Sequence, residues 1–235
     1  MAIKAVLFDL DGTLLPMDYD KFMHLYFKLL GTKLATLGYA PETVKDSVWK
    51  GVGAMVKNDG SCQNEEAFWN TFASIYGEHV HKDKGELEIF YQTEFSKVQE
   101  ACGFHPGAKE VVETVKQKGL MAVLATNPLF PAVATKARMG WAGLSPEDFV
   151  YYTTYENSSY CKPNLKYYEM ILEEIGVKPQ ECLMVGNDVQ EDMIAEKLGM
   201  EVFLLTDCLI NSKQQDISGY PKGGFAELLE YIRGL

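Results

Sequence analysis

Five short apolar runs constrain this chain more than any other feature. They occupy residues 3–10, 120–125, 149–153, 182–185 and 202–205. Each is rich in Val, Ile, Leu or Phe and closes on small or polar residues, the pattern of strands buried on both faces. After Gly103 these runs alternate with helical patterns. Residues 108–118 place Val111, Val112 and Val115 on one face and stop at Gly119. A second pattern starts at Pro163, sets Leu165, Tyr168, Leu172 and Ile175 at helical spacing, and ends at Gly176. A third spans 191–198 and closes on Gly199. Strand and helix in alternation imply parallel βαβ units.

Residues 16–102 read differently. They contain no convincing strand but four helical patterns, at 20–37, 41–57, 64–76 and 83–101. The expected fold is therefore α/β: a Rossmann-like core with a central parallel sheet flanked by helices, plus an inserted all-α unit. The core takes residues 1–15 and 103–235, and the insert takes 16–102. Residues 206–224 read as a polar loop before a final helix at 225–232.

Composition narrows the function. With 22 basic against 33 acidic side chains, the formal charge is −11, which argues against binding a nucleic-acid backbone. A locally positive site for a small anion remains open, because salt screens exposed charges within about 8 Å. No apolar run approaches the roughly 18 residues of a membrane span, and the opening MAIKAVLFDLDG lacks a secretory pattern. A cytoplasmic location without a membrane partner is expected. The five cysteines are scattered and never form C-x-x-C, so free thiols are expected.

The chemistry-bearing residues fall at the ends of the apolar runs. Asp9 and Asp11 lie two residues apart in Asp9-Leu10-Asp11-Gly12-Thr13, where an extended chain points both carboxylates to one side. In an open parallel sheet that end of the strand faces the binding crevice. Two close carboxylates need a positive partner or a proton, and Mg²⁺ suits carboxylate oxygens together with substrate phosphate. Thr126 follows the second run directly; its hydroxyl and the Asn127 N–H can hold a phosphoryl oxygen. Lys162, before a helix start, is electrostatically misplaced unless it neutralises carboxylate and phosphate. After the fourth run, Asp188 stands where a further metal ligand would complete the site, and Asp192 where it can orient Lys162, with Asn187 and Glu191 as polar alternatives.

This order of motifs resembles that of the haloacid dehalogenase-like hydrolases. Asp9 to Thr13 match the first family motif, Thr126 the second, Lys162 the third, and Asp188 with Asp192 the fourth. The helical insert falls where the family carries its C1 cap. One departure is Asn187, which separates Gly186 from the acid. The resemblance implies a Mg²⁺-dependent phosphatase acting on a small phosphorylated metabolite. Asp9 would be the nucleophile that forms an aspartyl-phosphate, and Asp11 the general acid and base. Asp9, the Asp11 carbonyl and Asp188 would be the metal ligands. Thr126, Asn127 and Lys162 would bind phosphate, with Asp192 behind Lys162.

Rival readings are a phosphomutase on the same scaffold and a non-catalytic phospho-ligand-binding module. A dehalogenase typically lacks the second carboxylate, and Asp11 is present. A phosphonate hydrolase adds a cap lysine, for which Lys33, Lys45, Lys50 and Lys57 qualify by type. His79 and His81 are expected to be solvated loop residues. The aromatics Phe22, Tyr26, Phe27, Trp49, Phe68, Trp69, Phe72 and Phe90 are expected to form core more than pocket, and Trp49 with Lys50 is a candidate to reach the site.

Overall fold

The computed structural model describes residues 2–235. Its strands are β1 (Ala5–Phe8), β2 (Met121–Leu124), β3 (Tyr151–Tyr152), β4 (Cys182–Gly186), β5 (Glu201–Leu205) and β6 (Lys222–Gly223). Its α-helices are α1 (Tyr19–Thr36), α2 (Pro41–Val56), α3 (Asn64–Tyr76), α4 (Lys84–Gln92), α5 (Pro106–Gln117), α6 (Ala132–Trp141), α7 (Leu165–Ile175) and α8 (Phe225–Gly234). The strands form one parallel sheet in the order β3-β2-β1-β4-β5-β6.

Strand alternation divides the apolar residues between two layers. Val6, Phe8, Leu124, Leu183 and Phe203 pack with Val111, Val112 and Val115 of α5 and with Leu228 and Ile232 of α8. Ala5, Leu7, Val123, Met184 and Leu204 pack on the other face with Tyr168, Ile171 and Leu172 of α7. Both faces are covered, as runs this apolar require.

The helices of the insert gather around a third cluster. Phe22, Tyr26 and Leu30 of α1, Val48 of α2, Trp69 and Phe72 of α3, and Phe90 of α4 meet there, joined by Ala134 of α6. The two chain segments that join insert to sheet run side by side. Gly103 N–H donates to the Pro16 carbonyl at 2.7 Å, and Asp18 N–H donates to that of Ala101 at 3.0 Å.

Several expected elements differ in detail. The pattern at 83–101 breaks at Thr93, where φ is −119° and ψ is −82°, and a 3-10 segment follows over Glu94–Ala101. The Thr93 hydroxyl donates to the Ile89 carbonyl at 2.6 Å, offering the backbone an alternative to helix. The pattern at 191–198 becomes a 3-10 segment, Met193–Leu198. Its start is taken up by a turn in which Asp188 Oδ1 accepts the N–H groups of Gln190 (2.7 Å) and Glu191 (3.0 Å). The helix expected from Pro163 begins at Leu165 and is capped by Asn164, so Lys162 precedes it by one more turn of chain. Helix α6 and edge strand β6 were not anticipated.

Leu183 is fully buried in β4, so Leu183→Ala should lower unfolding free energy by about 2–5 kcal/mol through lost transfer energy and an unfilled cavity. Urea titration should find Val150→Ala, at an exposed position, within about 0.5 kcal/mol of the parent.

Candidate active site

Strand register builds the site floor. Phe8 of β1 stands level with Leu124 of β2 and Val185 of β4. Asp9 N–H donates to the Val185 carbonyl at 2.9 Å, and Ala125 N–H to that of Phe8 at 2.7 Å. Three central strands therefore end together, and the residues that follow them share one crevice. Asp9, Asp11, Thr126, Asn127, Asp188 and Asp192 all line a single cavity, with Asn187 and Glu191 beside them. Lys162 arrives from the loop after β3, with Nζ 2.8 Å from Asp9 Oδ1 and 2.6 Å from Asp192 Oδ1. Every site residue expected from the sequence is thus gathered in one place.

Lys162, Asp192 and Asp9 are all buried. Burial alone would lower the lysine pKa; the carboxylates of Asp192 and Asp9 outweigh it and hold the ammonium protonated well above its ordinary range. One cation faces two anions, so an excess negative charge remains. Its cost falls on the deeper Asp192, which burial pushes up to about 7 against the lowering pull of Lys162. The second oxygens are also satisfied. Thr13 Oγ1 donates to Asp9 Oδ2 at 2.9 Å, and Asp188 N–H to Asp192 Oδ2 at 3.0 Å. Gly186 makes room for this arrangement, since a Cβ there would fall on the Asp192 carboxylate.

Asn187 explains its place between Gly186 and Asp188. It is buried, its Oδ1 lies 3.0 Å from Thr13 Oγ1, sharing that hydroxyl's one proton with Asp9, and its Nδ2 donates to the Cys208 carbonyl at 2.7 Å. It ties the loop after β1 to the loop after β5. Gly12, at φ +86°, passes so close that a Cβ would strike the Asn187 amide.

Asn127 does more than the expected backbone contact. Its Oδ1 accepts the Lys162 N–H at 3.2 Å and its Nδ2 donates to Glu191 at 3.0 Å, joining three loops. The Thr126 carbonyl is held by Thr153 Oγ1 at 2.6 Å and Tyr167 OH at 2.8 Å, while its hydroxyl has no protein partner among the described residues. Burial raises Glu191 to about 7, with Lys162 opposing and Asp188 and Asp9 adding to the rise.

One residue at the site escaped the sequence reading. Arg138 on α6 is fully buried and donates from Nη1 to Asp11 Oδ2. Its guanidinium also donates to Thr135 Oγ1 at 3.3 Å and lies over the Phe130 ring, 4.5 Å from the centroid. The two close carboxylates of the first motif therefore each have a cation of their own: Lys162 for Asp9, Arg138 for Asp11. Burial raises the Asp11 pKa, and Arg138 pulls it back only in part. Asp11 Oδ1 is buried without a partner.

For a divalent cation the site offers hard oxygen donors. Asp9 and Asp188 line the same cavity, and Asp188 uses only Oδ1 in hydrogen bonds among the described residues. The Asp11 carboxylate is turned to Arg138, and no group of three His, Cys, Asp or Glu side chains gathers as a metal cage among the described residues. The carboxylates of Asp9 and Asp188 form a partial donor set. That fits Mg²⁺, which retains waters and takes substrate phosphate as ligand.

The remaining candidates resolve as follows. His79 stacks on Tyr39 and His81 pairs with Glu78. Lys33, Lys45, Lys50 and Lys57 do not line the cavity. The expectation that the aromatics are core more than pocket needs correcting: Phe22, Tyr26, Trp69 and Phe72 are buried in the helical cluster and also wall the cavity, because that cluster is hollow towards the sheet. Trp49 reaches the cavity and Lys50 does not. The five cysteines are free, and no helix among the described residues is long and apolar enough to cross a membrane.

The structure thus defines a parallel α/β sheet with acids, a hydroxyl and a lysine gathered at one edge, the place where such sheets bind their ligands. The family model for haloacid dehalogenase-like hydrolases matches residues 3–197, and the chain belongs to that family. It is 26% identical over 199 residues to an N-acetylmuramic acid 6-phosphate phosphatase from Pseudomonas aeruginosa, covering 81% of this chain and 76% of the relative. It is 27% identical over 207 residues to a phosphoglycolate phosphatase from Vibrio parahaemolyticus, covering 87% and 84%. The crystal structure of a HAD phosphatase from Thermococcus onnurineus shares the fold, with TM-score 0.63 and 19% identity over 99% of both chains.

Removing Arg138 strands the Asp11 carboxylate. Arg138→Met should cost about 3 kcal/mol, the low end for breaking a buried pair because Asp11 is partly exposed. Adding Asp11→Asn should recover much of that in chemical denaturation. Glu191 gives a pH signature in chelator-treated protein. Its pKa rises from 4.5 to about 7 on folding, so the unfolded chain ionises first. Stability should therefore fall as pH rises through that window and level off above it. Glu191→Gln should remove this part of the fall in thermal melts.

Proposed function

We propose that the protein is a Mg²⁺-dependent phosphomonoester hydrolase that acts on a small phosphorylated metabolite through an aspartyl-phosphate. The observation that carries this is the fixed Asp9 carboxylate at the cavity floor, held by Lys162 and Thr13, with Asp11 two residues away. Similarity to relatives named as phosphatases supports the same reading.

Asp9 attacks phosphorus in line with the ester oxygen. As the new bond to Asp9 forms, the bond to the leaving oxygen breaks and Asp11 gives that oxygen its proton. Burial suits Asp11 to this by favouring its protonated form. The Thr126 hydroxyl, the Asn127 N–H and the Lys162 ammonium receive the phosphoryl oxygens and offset their charge. Asp11, now a carboxylate, takes a proton from water; the water oxygen bonds to phosphorus, the bond to Asp9 breaks, and inorganic phosphate leaves. Mg²⁺, held by Asp9, the Asp11 carbonyl and Asp188, supplies Lewis-acid neutralisation of the phosphoryl charge. Residues 16–102 act in this reading as a helical cap that shields the floor from water, on a core of residues 1–15 and 103–235.

Asp9→Asn tests the proposal. Released phosphate from a panel of monoesters should require Mg²⁺ with the parent and fall at least a thousandfold in the variant, while circular dichroism stays unchanged. Retained turnover means a different nucleophile.

A further inference from the structure

The floor of the site is charged, but the volume above it is not. The cavity has a volume of about 870 Å³, and most of its wall comes from the helical insert. Phe22 and Tyr26 of α1, Phe68, Trp69 and Phe72 of α3, and Tyr91 of α4 supply its aromatic surface. Leu30 and Leu34 of α1 and Val48 and Val52 of α2 extend it with aliphatic surface. The phosphoryl group needs only the floor, so this space belongs to the rest of the substrate.

Charge decides what can enter it. Among the described residues the lysines in the lining are Lys84 and Lys136. Lys84 is already engaged, 3.1 Å from Glu65 and over the Trp69 ring. Glu65, Glu88 and Glu156 line the same wall. A second anionic group on the substrate would lose its water and meet more carboxylates than ammonium groups. A neutral apolar group would gain from burial.

A few polar atoms interrupt the wall. The Tyr26 and Tyr91 hydroxyls bond each other at 2.8 Å. The indole N–H of Trp69 is buried without a hydrogen-bond partner of acceptable geometry, although the Tyr155 hydroxyl neighbours it.

We propose that the substrate is the phosphate monoester of a hydrophobic alcohol, with an alkyl or aryl body in the aromatic cavity. This rests on the phosphatase reading above and narrows its substrate class. It sets the protein apart from an enzyme for phosphoglycolate or another doubly anionic substrate, whose second charge would find, among the described residues, only Lys136 uncommitted in a wall that carries Glu65, Glu88 and Glu156.

The test uses the full-length protein with Mg²⁺ and a series of n-alkyl phosphates from ethyl to hexyl. Phosphoglycolate and p-nitrophenyl phosphate serve as comparisons, and phosphate release is the readout. A parallel series of non-hydrolysable n-alkylphosphonates is followed by the fluorescence of Trp49 and Trp69, both in the lining. Each added methylene should raise kcat/KM and phosphonate affinity about fourfold, and hexyl phosphate should exceed phosphoglycolate by more than a hundredfold. Val52→Trp, which fills part of the cavity, should abolish the rise at the longer chains. Turnover that is flat with chain length, or highest for phosphoglycolate, overturns the apolar class while leaving the phosphatase reading intact. An undiminished rise in Val52→Trp likewise overturns the cavity as its origin. If no ester is hydrolysed but phosphonate affinity climbs with length, the hydrolase reading fails and the apolar class stands. Absent hydrolysis with flat affinity overturns both.

Discussion

The ammonium of Lys162 sits between two carboxylates with almost no access to water, and the floor of the site is organised around it. Desolvating an ion costs several kcal/mol unless its partners are well placed. Here the four oxygens of Asp9 and Asp192 each have a donor: two from Lys162, one from Thr13 and one from the Asp188 N–H. The arrangement holds because each donor comes from a different loop and β1 and β4 end at the same level. It still carries one surplus negative charge. A cation near Asp9 would offset that surplus, in keeping with the Mg²⁺ site proposed above.

Asp11 stands outside this group although it is only two residues from Asp9. Arg138 takes it, and the rest of the guanidinium is occupied by Thr135 and the face of Phe130. The two acids of the first motif are thereby separated: one is bound to a buried lysine and a threonine hydroxyl, the other is half-buried with a single partner and an orphaned oxygen. Different environments for neighbouring carboxyl groups are what allow one to act as nucleophile and the other to carry a proton.

How much of this could be read from the sequence follows from the physics of each element. The central strands were legible because a strand buried on both faces must be continuously apolar, and 5–8, 120–125 and 182–185 are. The edge strands were not: β3 and β6 are two residues each and held by one neighbour, too short for a pattern. The acids, hydroxyl and lysine of the floor were legible because they cluster at or just beyond the ends of apolar runs, or, for Lys162, before a proline. Arg138 was not, since α6 is short and its many small residues, Ala132, Ala134, Ala137 and Gly140, mark out no clear apolar face. The available signal was its spacing, four residues after Ala134 and beside Met139, which places a charge on the apolar side of the helix. The start of the segment after Asp188 was misread as α-helix because sequence periodicity does not reveal that Asp188 spends its side chain on the next two N–H groups.

The aromatic residues of the insert expose a limit of a different kind. Helical spacing identifies a buried face but does not say whether the faces meet or leave a gap. Phe22, Tyr26, Trp69 and Phe72 do both, packing edge to face with one another and their neighbours while bounding the cavity. The wall that would select the substrate is therefore the same matter that holds α1, α3 and α4 together. A substitution that reshapes it also changes the cohesion of the insert, so selectivity and stability are coupled in this part of the chain. On the floor they are coupled through charge; in the roof they are coupled through packing. Val52 of α2, half-buried at the margin of the cluster where Val48 is a buried member, is a place where the volume can change with less disturbance to the aromatic packing.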